Sequence, residues 1–285
     1  MKSKFPVCLM AIALLFTNFA FAQQRIHLGD NAALRYWAAF SEMQDSGITP
    51  EQVKELSLIL KGTAPYHDLS YKKLVEANIP ALTVMARGTT LRSCDWGLDY
   101  ELGPETPVEY ARKSLELGRL NVLYAFHLSQ AGDKEGTLRT LVAGVHFSRD
   151  VAAGGSLFAT LAAKNLLINH FRAIEDLLHL QALSNAQRPE LQKAIAQLGP
   201  NGLDWGMAMK YEFVALNRPE WQKPLQSIRE SYLAALKDKS ALPDLQTELA
   251  KAPPDLQELI PIPQRVIDDQ QGFRNELQHI RKVLQ

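Results

Sequence analysis

Apolar residues recur along most of this chain at the three- and four-residue spacing of one helix face, and turn residues break that rhythm at short intervals. Ala33, Tyr36, Trp37 and Phe40 fall at i, i+3, i+4 and i+7. Asp45-Ser46-Gly47 ends that helix, and Thr49-Pro50-Glu51-Gln52 starts the next with an N-cap, a proline at the first helical position and a capping-box glutamine. Val53, Leu56 and Leu60 carry its stripe to Gly62. Two helices across so short a turn form an antiparallel hairpin. The spacing predicts a third helix from Tyr71 to about Arg87, which Pro80 should kink or split.

The pattern then lapses from Thr89 to Pro107, where Gly97, Gly103, Pro104 and Pro107 stand among acidic and aromatic residues. An ordered loop is expected there. Helices resume from Val108 to about Gln130, turn at Ala131-Gly132-Asp133, and continue through Leu138, Leu141, Val142 and Val145. Gly118 lies on the apolar stripe of the first of these, where a missing side chain lets a neighbouring helix approach. Leu157 to Leu180 is the longest periodic stretch and is apolar around much of its circumference, so it belongs at the centre. Further helices are expected at 189–198, 205–216, 219–237 and 243–250, with extended breaks at Pro253-Pro254 and Ile260-Pro261-Ile262-Pro263. Phe273, Leu277, Ile280 and Leu284 share one face of a closing helix. Leu occurs 43 times against 25 for Val and Ile together, which agrees with helices rather than strands. The expected fold class is all-α: antiparallel helical hairpins in an α-solenoid or tetratricopeptide-like array.

The first residues carry an address. Lys2 and Lys4 precede an apolar run from Phe5 to Phe16, and Phe19-Ala20-Phe21-Ala22 supplies a small-residue cleavage site. Residues 1–22 are expected to be a signal peptide, residues 23–253 the helical-hairpin domain, and residues 254–285 a proline-broken segment and amphipathic helix packed on it. Pro6 and Asn18 leave too short a clean apolar run for a span of about 20 residues. Cleavage leaves 285 − 22 = 263 residues and turns 31 basic against 31 acidic residues into 29 against 31. It also removes Cys8, so the exported chain carries one thiol, Cys94. The expected location is the periplasm or the medium, with no transmembrane segment after cleavage. Balanced charge argues against nucleic acid as a partner, and two cysteines cannot build a four-thiolate zinc site.

Two resemblances accompany this reading. Tyr124-Ala125, Gly132-Asp133, Leu138, Leu141 and Gly144 resemble one tetratricopeptide repeat, although Thr137 and Arg149 depart from its pattern and no second copy follows. More broadly, Asn31-Ala32-Ala33 with Tyr36, Cys94-Asp95-Trp96-Gly97-Leu98-Asp99-Tyr100, Gly103-Pro104 and the stretch from Gly132-Asp133 to Arg149-Asp150 resemble a family of exported bacterial helical proteins of uncharacterised function. That resemblance implies the same fold and export, and no activity.

Candidate chemistry concentrates in two places. Cys94, Asp95, Trp96, Asp99, Tyr100 and Glu101, with Glu105, make an acidic aromatic loop. It either offers oxygen ligands to a hard cation or a small-ligand site, or it packs, with Trp96 in the core and Asp95 capping backbone amides. His146, Arg149 and Asp150 share a helix, and His127 on the preceding one could join them in a polar cluster. A satisfied structural histidine is the simpler account of each, His170 included. Asp204-Trp205-Gly206 repeats the loop's Asp-Trp-Gly, and an N-cap followed by a packing tryptophan explains both copies. There is no nucleophile elbow, P-loop, dinucleotide fingerprint or His-Glu-x-x-His, so no metal or cofactor is expected. The expected function is non-catalytic: binding a peptide, a protein or an envelope component in a groove between hairpins. The alternative is an enzyme, or a small-ligand or metal binder, built on the loop at 94–105.

Overall fold

Several of the helices start where a side chain can satisfy one of their first free amides. In the computed structural model, which describes residues 28–44, 49–106 and 108–285, Asn31 caps α1 (Ala32–Glu42) by accepting from Ala33 N. Thr49 and Gln52 close a capping box on α2 (Pro50–Leu60). Asp133 caps α5 (Lys134–Ala152) and Ser156 caps α6 (Leu157–His179). Between these lie α3 (Asp68–Gly88) and α4 (Glu109–Gln130). The second half holds α7 (Arg188–Ala196), α8 (Trp205–Ala215), α9 (Gln222–Lys237), α10 (Leu242–Lys251), α11 (Pro254–Leu259) and α12 (Pro263–Leu284). There is no strand among the described residues, and the fold is all-α. The signal-peptide expectation, the turn at Asp45-Ser46-Gly47 and Pro107 fall outside the described residues.

Two local expectations need correction. Pro80 neither kinks α3 apart nor splits it: the helix runs unbroken from Asp68 to Gly88. Pro80 and Glu76 both lie on the exposed face, so the carbonyl that loses its i+4 partner can turn to water. The proline-rich stretch at 253–263 is also not wholly extended. Pro254 sits at the start of α11, where a missing N–H costs nothing, while Pro253 and the residues around Ile260 and Ile262 are extended.

Helix α6 is the axle of the molecule, packing against α4, α5, α8 and α12. Its fully buried Leu166 meets Gly118 of α4, where an added Cβ would come within 2.4 Å of Leu166 Cδ2. The close approach expected at Gly118 is therefore made by α6. Helices α1 and α3 pair on one flank of α4 and α5. On the other side of α6, α8, α9 and α10 stack in order, and α12 returns from the end of the chain to lie on α6, α7 and α9. That return is held by Lys164 to Asp269 at 2.7 Å, and by Arg188 and Gln192 donating to the carbonyls of Val283 and Leu284 at 2.6 and 2.7 Å. In an open stack each hairpin touches only its neighbours. A terminal helix docked on the middle of the chain closes this fold on itself, and an open array does not account for it.

Candidate functional site

The acidic loop is built as the cap of a helix end. Carbonyls in the last turn of α5, and that of Gly154 just beyond it, take further donors from the loop and from α4. Trp96 Nε1 donates to Asp150 O at 2.9 Å, Tyr110 Oη to Val151 O at 3.4 Å, and Tyr100 Oη to Gly154 O. Asn31 ties the loop to the start of α1: its Nδ2 donates to Asp95 O at 2.8 Å, and its Oδ1 accepts from Asp95 N at 2.9 Å. Trp96 itself is buried, its ring 4.1 Å from Tyr110, 5.8 Å from Tyr36 and 6.2 Å from Phe40. Burying so large a ring contributes several kcal/mol to the packing.

Two of the loop's carboxylates are occupied locally. Asp95 Oδ1 accepts from Gly97 N at 2.9 Å, Asp99 Oδ1 accepts from Glu101 N at 3.0 Å, and Glu101 is exposed. Among the described residues, no group of three or more His, Cys, Asp or Glu side chains is placed to hold a metal ion. Cys94 donates to Asp150 O at 3.5 Å. Burial raises its thiol well above the usual range, and the negative charges of Asp150 and Asp95 raise it further. A thiol so held is a poor nucleophile. Cys94, Asp95, Trp96, Asp99 and Tyr100 are thus brought together as structure.

Asp150 is the hub. Only 5% exposed, it accepts from Tyr36 Oη at 2.6 Å on one oxygen and from Arg149 Nε and Nη2 at 3.0 and 2.8 Å on the other. The fork from Arg149 and the phenol together compensate a carboxylate that could not otherwise be buried. Burial, then Asp150, push the Tyr36 hydroxyl far above its ordinary range, so it stays a donor.

The polar cluster expected from His127, His146, Arg149 and Asp150 does not form as a unit. His127 stands in the last turn of α4 and pairs with Asp68 Oδ1 at 2.6 Å. Tyr66 donates to the same oxygen at 3.0 Å. Burial alone would raise the Asp68 carboxyl, but the bonds from His127 and Tyr66 outweigh it and hold it below its usual value. His146 lies far along α5 from the turn the two helices share, roughly 18 Å at 1.5 Å per residue, so the antiparallel pairing separates it from His127. Burial, then Arg149, lower His146, whose Nε2 has no partner among the described residues. His170 is fully buried between Leu166 O at 2.7 Å from Nδ1 and Asn121 Oδ1 at 2.9 Å from Nε2, a structural histidine.

A different feature has the form of a binding site. A cavity of about 910 Å³ opens between α2, α4 and α6, with residues of α1 and α3 also in its lining. Its floor is apolar: Phe40, Leu56, Leu60, Leu74, Leu120, Leu123 and Ile168. Its edge carries four cations, Lys61, Lys113, Arg119 and Arg172, against one carboxylate, Glu116. Glu116 is shared by Arg112 at 2.7 Å and Lys113 at 3.5 Å, and Arg172 reaches Glu276 at 3.7 Å. No ion pair forms to Lys61 or Arg119 among the described residues, so the rim is net positive. Sequence reasoning missed it because its cations come from segments far apart in the chain and share no motif. The one available signal was the basic side chains breaking the apolar stripes of α4 and α6.

No protein-family model, curated protein or solved structure matches this chain.

Proposed function

We propose that the chain is an exported, non-catalytic binding protein whose inter-helix groove takes a partly apolar, acidic ligand: a peptide or an envelope component with an acyl or side-chain apolar part. The observation that carries this reading is the groove between α2, α4 and α6, with its apolar floor and cationic edge. Its volume of about 910 Å³ suits a ligand-sized guest. Apolar surface supplies attraction without direction, and the rim cations orient an acidic group at the mouth. The loop at 94–105 supports this reading indirectly, since Trp96, Tyr100 and Cys94 donate to carbonyls at the end of α5 and Asp95 and Asp99 accept from amides of the loop itself. Export rests on the N-terminal sequence pattern.

Two exposed lining residues give a direct test. Ser57→Trp and Asn165→Trp each place a ring in the groove from opposite walls without touching the core. Both are expected to reduce binding of an acidic apolar peptide and of a long-chain fatty acid, read by fluorescence titration, and Arg119→Glu is expected to weaken it further. Recovery of an envelope partner by the wild-type protein and its loss with Asn165→Trp would add support. Unchanged binding of every probe in all three variants, or no binding by the wild type, overturns the reading.

A further inference from the structure

Helix α1 buries one side and presents another that is also partly apolar. Tyr36, Ala39 and Phe40 are buried, whereas Leu34, Trp37, Ala38 and Ser41 are exposed and recur at i, i+3, i+4 and i+7. Leu34 is 44% exposed and Trp37 43%. Trp37 is held in place: its ring meets Phe40 edge-on at 5.4 Å and Trp96 at 6.1 Å. A fixed, half-exposed tryptophan beside a leucine is the kind of anchor that protein contacts use. Covering it costs little further side-chain order.

The charges on this face identify its partner. Arg35 and Glu42 are both exposed and stand seven residues apart on one flank of the stripe. Neither forms an ion pair among the described residues. At 1.5 Å per residue they are about 10 Å apart along the helix. An acidic or a basic partner would be drawn by one of them and repelled by the other. A second copy of α1, antiparallel across a two-fold axis, satisfies both. That rotation reverses the helix direction but keeps the flank, so Arg35 of each copy lies opposite Glu42 of the other.

The same operator arranges the apolar residues. The axis that pairs residue 35 with residue 42 passes beside Ala38, whose small side chain lets the two helices approach closely. On the flank away from the charges the two Trp37 residues fall about 4.5 Å apart along the helix direction, near enough for their rings to meet. We propose that the outward face of α1 joins two copies of this chain in an antiparallel two-fold dimer, through Leu34, Trp37 and Ala38 and two reciprocal Arg35–Glu42 pairs. Phe40 and Met43 of the same helix line the groove and take no part in this contact. Neither proposal depends on the other.

The test is the oligomeric state and its response to charge exchange. One helix pair covers less than the about 800 Å² per partner of a standard interface, so the dimer is weak, with a Kd of about 100 µM. Sedimentation equilibrium of the purified protein, at concentrations up to about 1 mM, should show monomer passing to dimer. Arg35→Glu and Glu42→Arg, made singly, each set like charges opposite one another twice and should raise the Kd by about tenfold or more. Combined in one chain they restore the pairing with its signs exchanged, and the Kd should return to within about threefold of wild type. Ala38→Glu places two carboxylates beside the axis and should abolish the dimer; it keeps the question decidable if a charge-reversed chain fails to fold. All these positions are exposed, so the far-ultraviolet spectrum should not change. A wild type that stays monomeric throughout, a dimer that the single reversals or Ala38→Glu leave unchanged, or a double variant no tighter than the single ones overturns the proposal.

Discussion

His170 should make this fold acid-labile in a defined window. Its ring is wholly buried in α6, and burial lowers its pKa from 6.5 to about 4, with the bond to Leu166 opposing. In the unfolded chain the same histidine takes up its proton near pH 6.5. The stability it contributes is therefore complete above about pH 6.5 and is lost as the pH falls towards 4, because only the unfolded chain gains the proton in that interval. A depression of that size, at 1.36 kcal/mol for each pH unit, amounts to about 3 kcal/mol, most of it gone by pH 4.5. The assay is guanidinium unfolding at pH 7.5 and pH 4.5, for wild type and for His170→Gln, which keeps a polar side chain but cannot titrate. Subtracting the variant removes the carboxylates and the other histidines common to both proteins. Wild type should lose about 2–3 kcal/mol more than the variant on acidification. The opposing possibility is physical: both ring nitrogens face oxygens, Leu166 O and Asn121 Oδ1, an arrangement that suits an imidazolium. An equal loss in the two proteins, or a wild type that gains relative to the variant, would refute the dominance of burial at this site.

Other consequences can be measured with the same unfolding assay. Asp150→Ala removes the shared acceptor of Tyr36 and Arg149 and should cost about 3 kcal/mol, with Asp150→Asn costing less because one acceptor remains. A Cβ at Gly118 meets Leu166 at 2.4 Å, so Gly118→Ala should destabilise despite a gain of about 1 kcal/mol in helix propensity, since overpacking costs about 1–3 kcal/mol. Pro80→Ala should raise stability by about 1–3 kcal/mol, because α3 already runs straight through this exposed position; a loss would show that the proline is required there. Cys94 should resist alkylation at pH 7.5 in the folded protein and react on unfolding, read by peptide mass; rapid native labelling would contradict the suppressed thiolate inferred from its burial beside Asp150 and Asp95.

Helix positions were legible in the sequence because their determinants are local. The caps at Thr49, Asp133, Ser156 and Asp204, the apolar stripes and the central place of α6 follow from residues within a few turns of each other. The misreading at Pro80 came from the same locality: a proline's cost depends on whether the freed carbonyl reaches water, and that depends on which face the fold exposes. The polar cluster failed for a geometric reason, since adjacent helices share residues at their common turn and not along their length. The acidic loop was correctly seen as ordered, but its partner was not visible. Trp96 and Asp150 are far apart in the chain, and the acceptor is a backbone carbonyl that every residue possesses.

By itself the sequence determined an all-α chain, where its helices begin, and which faces they bury, because caps and periodicity act over a few residues. Only the tertiary structure decided that α12 folds back onto α6, that the loop at 94–105 packs against the end of α5, and that cations from separate segments meet at one groove edge. These depend on contacts between segments far apart in sequence, where many pairings satisfy the same local rules and packing of the whole chain selects one.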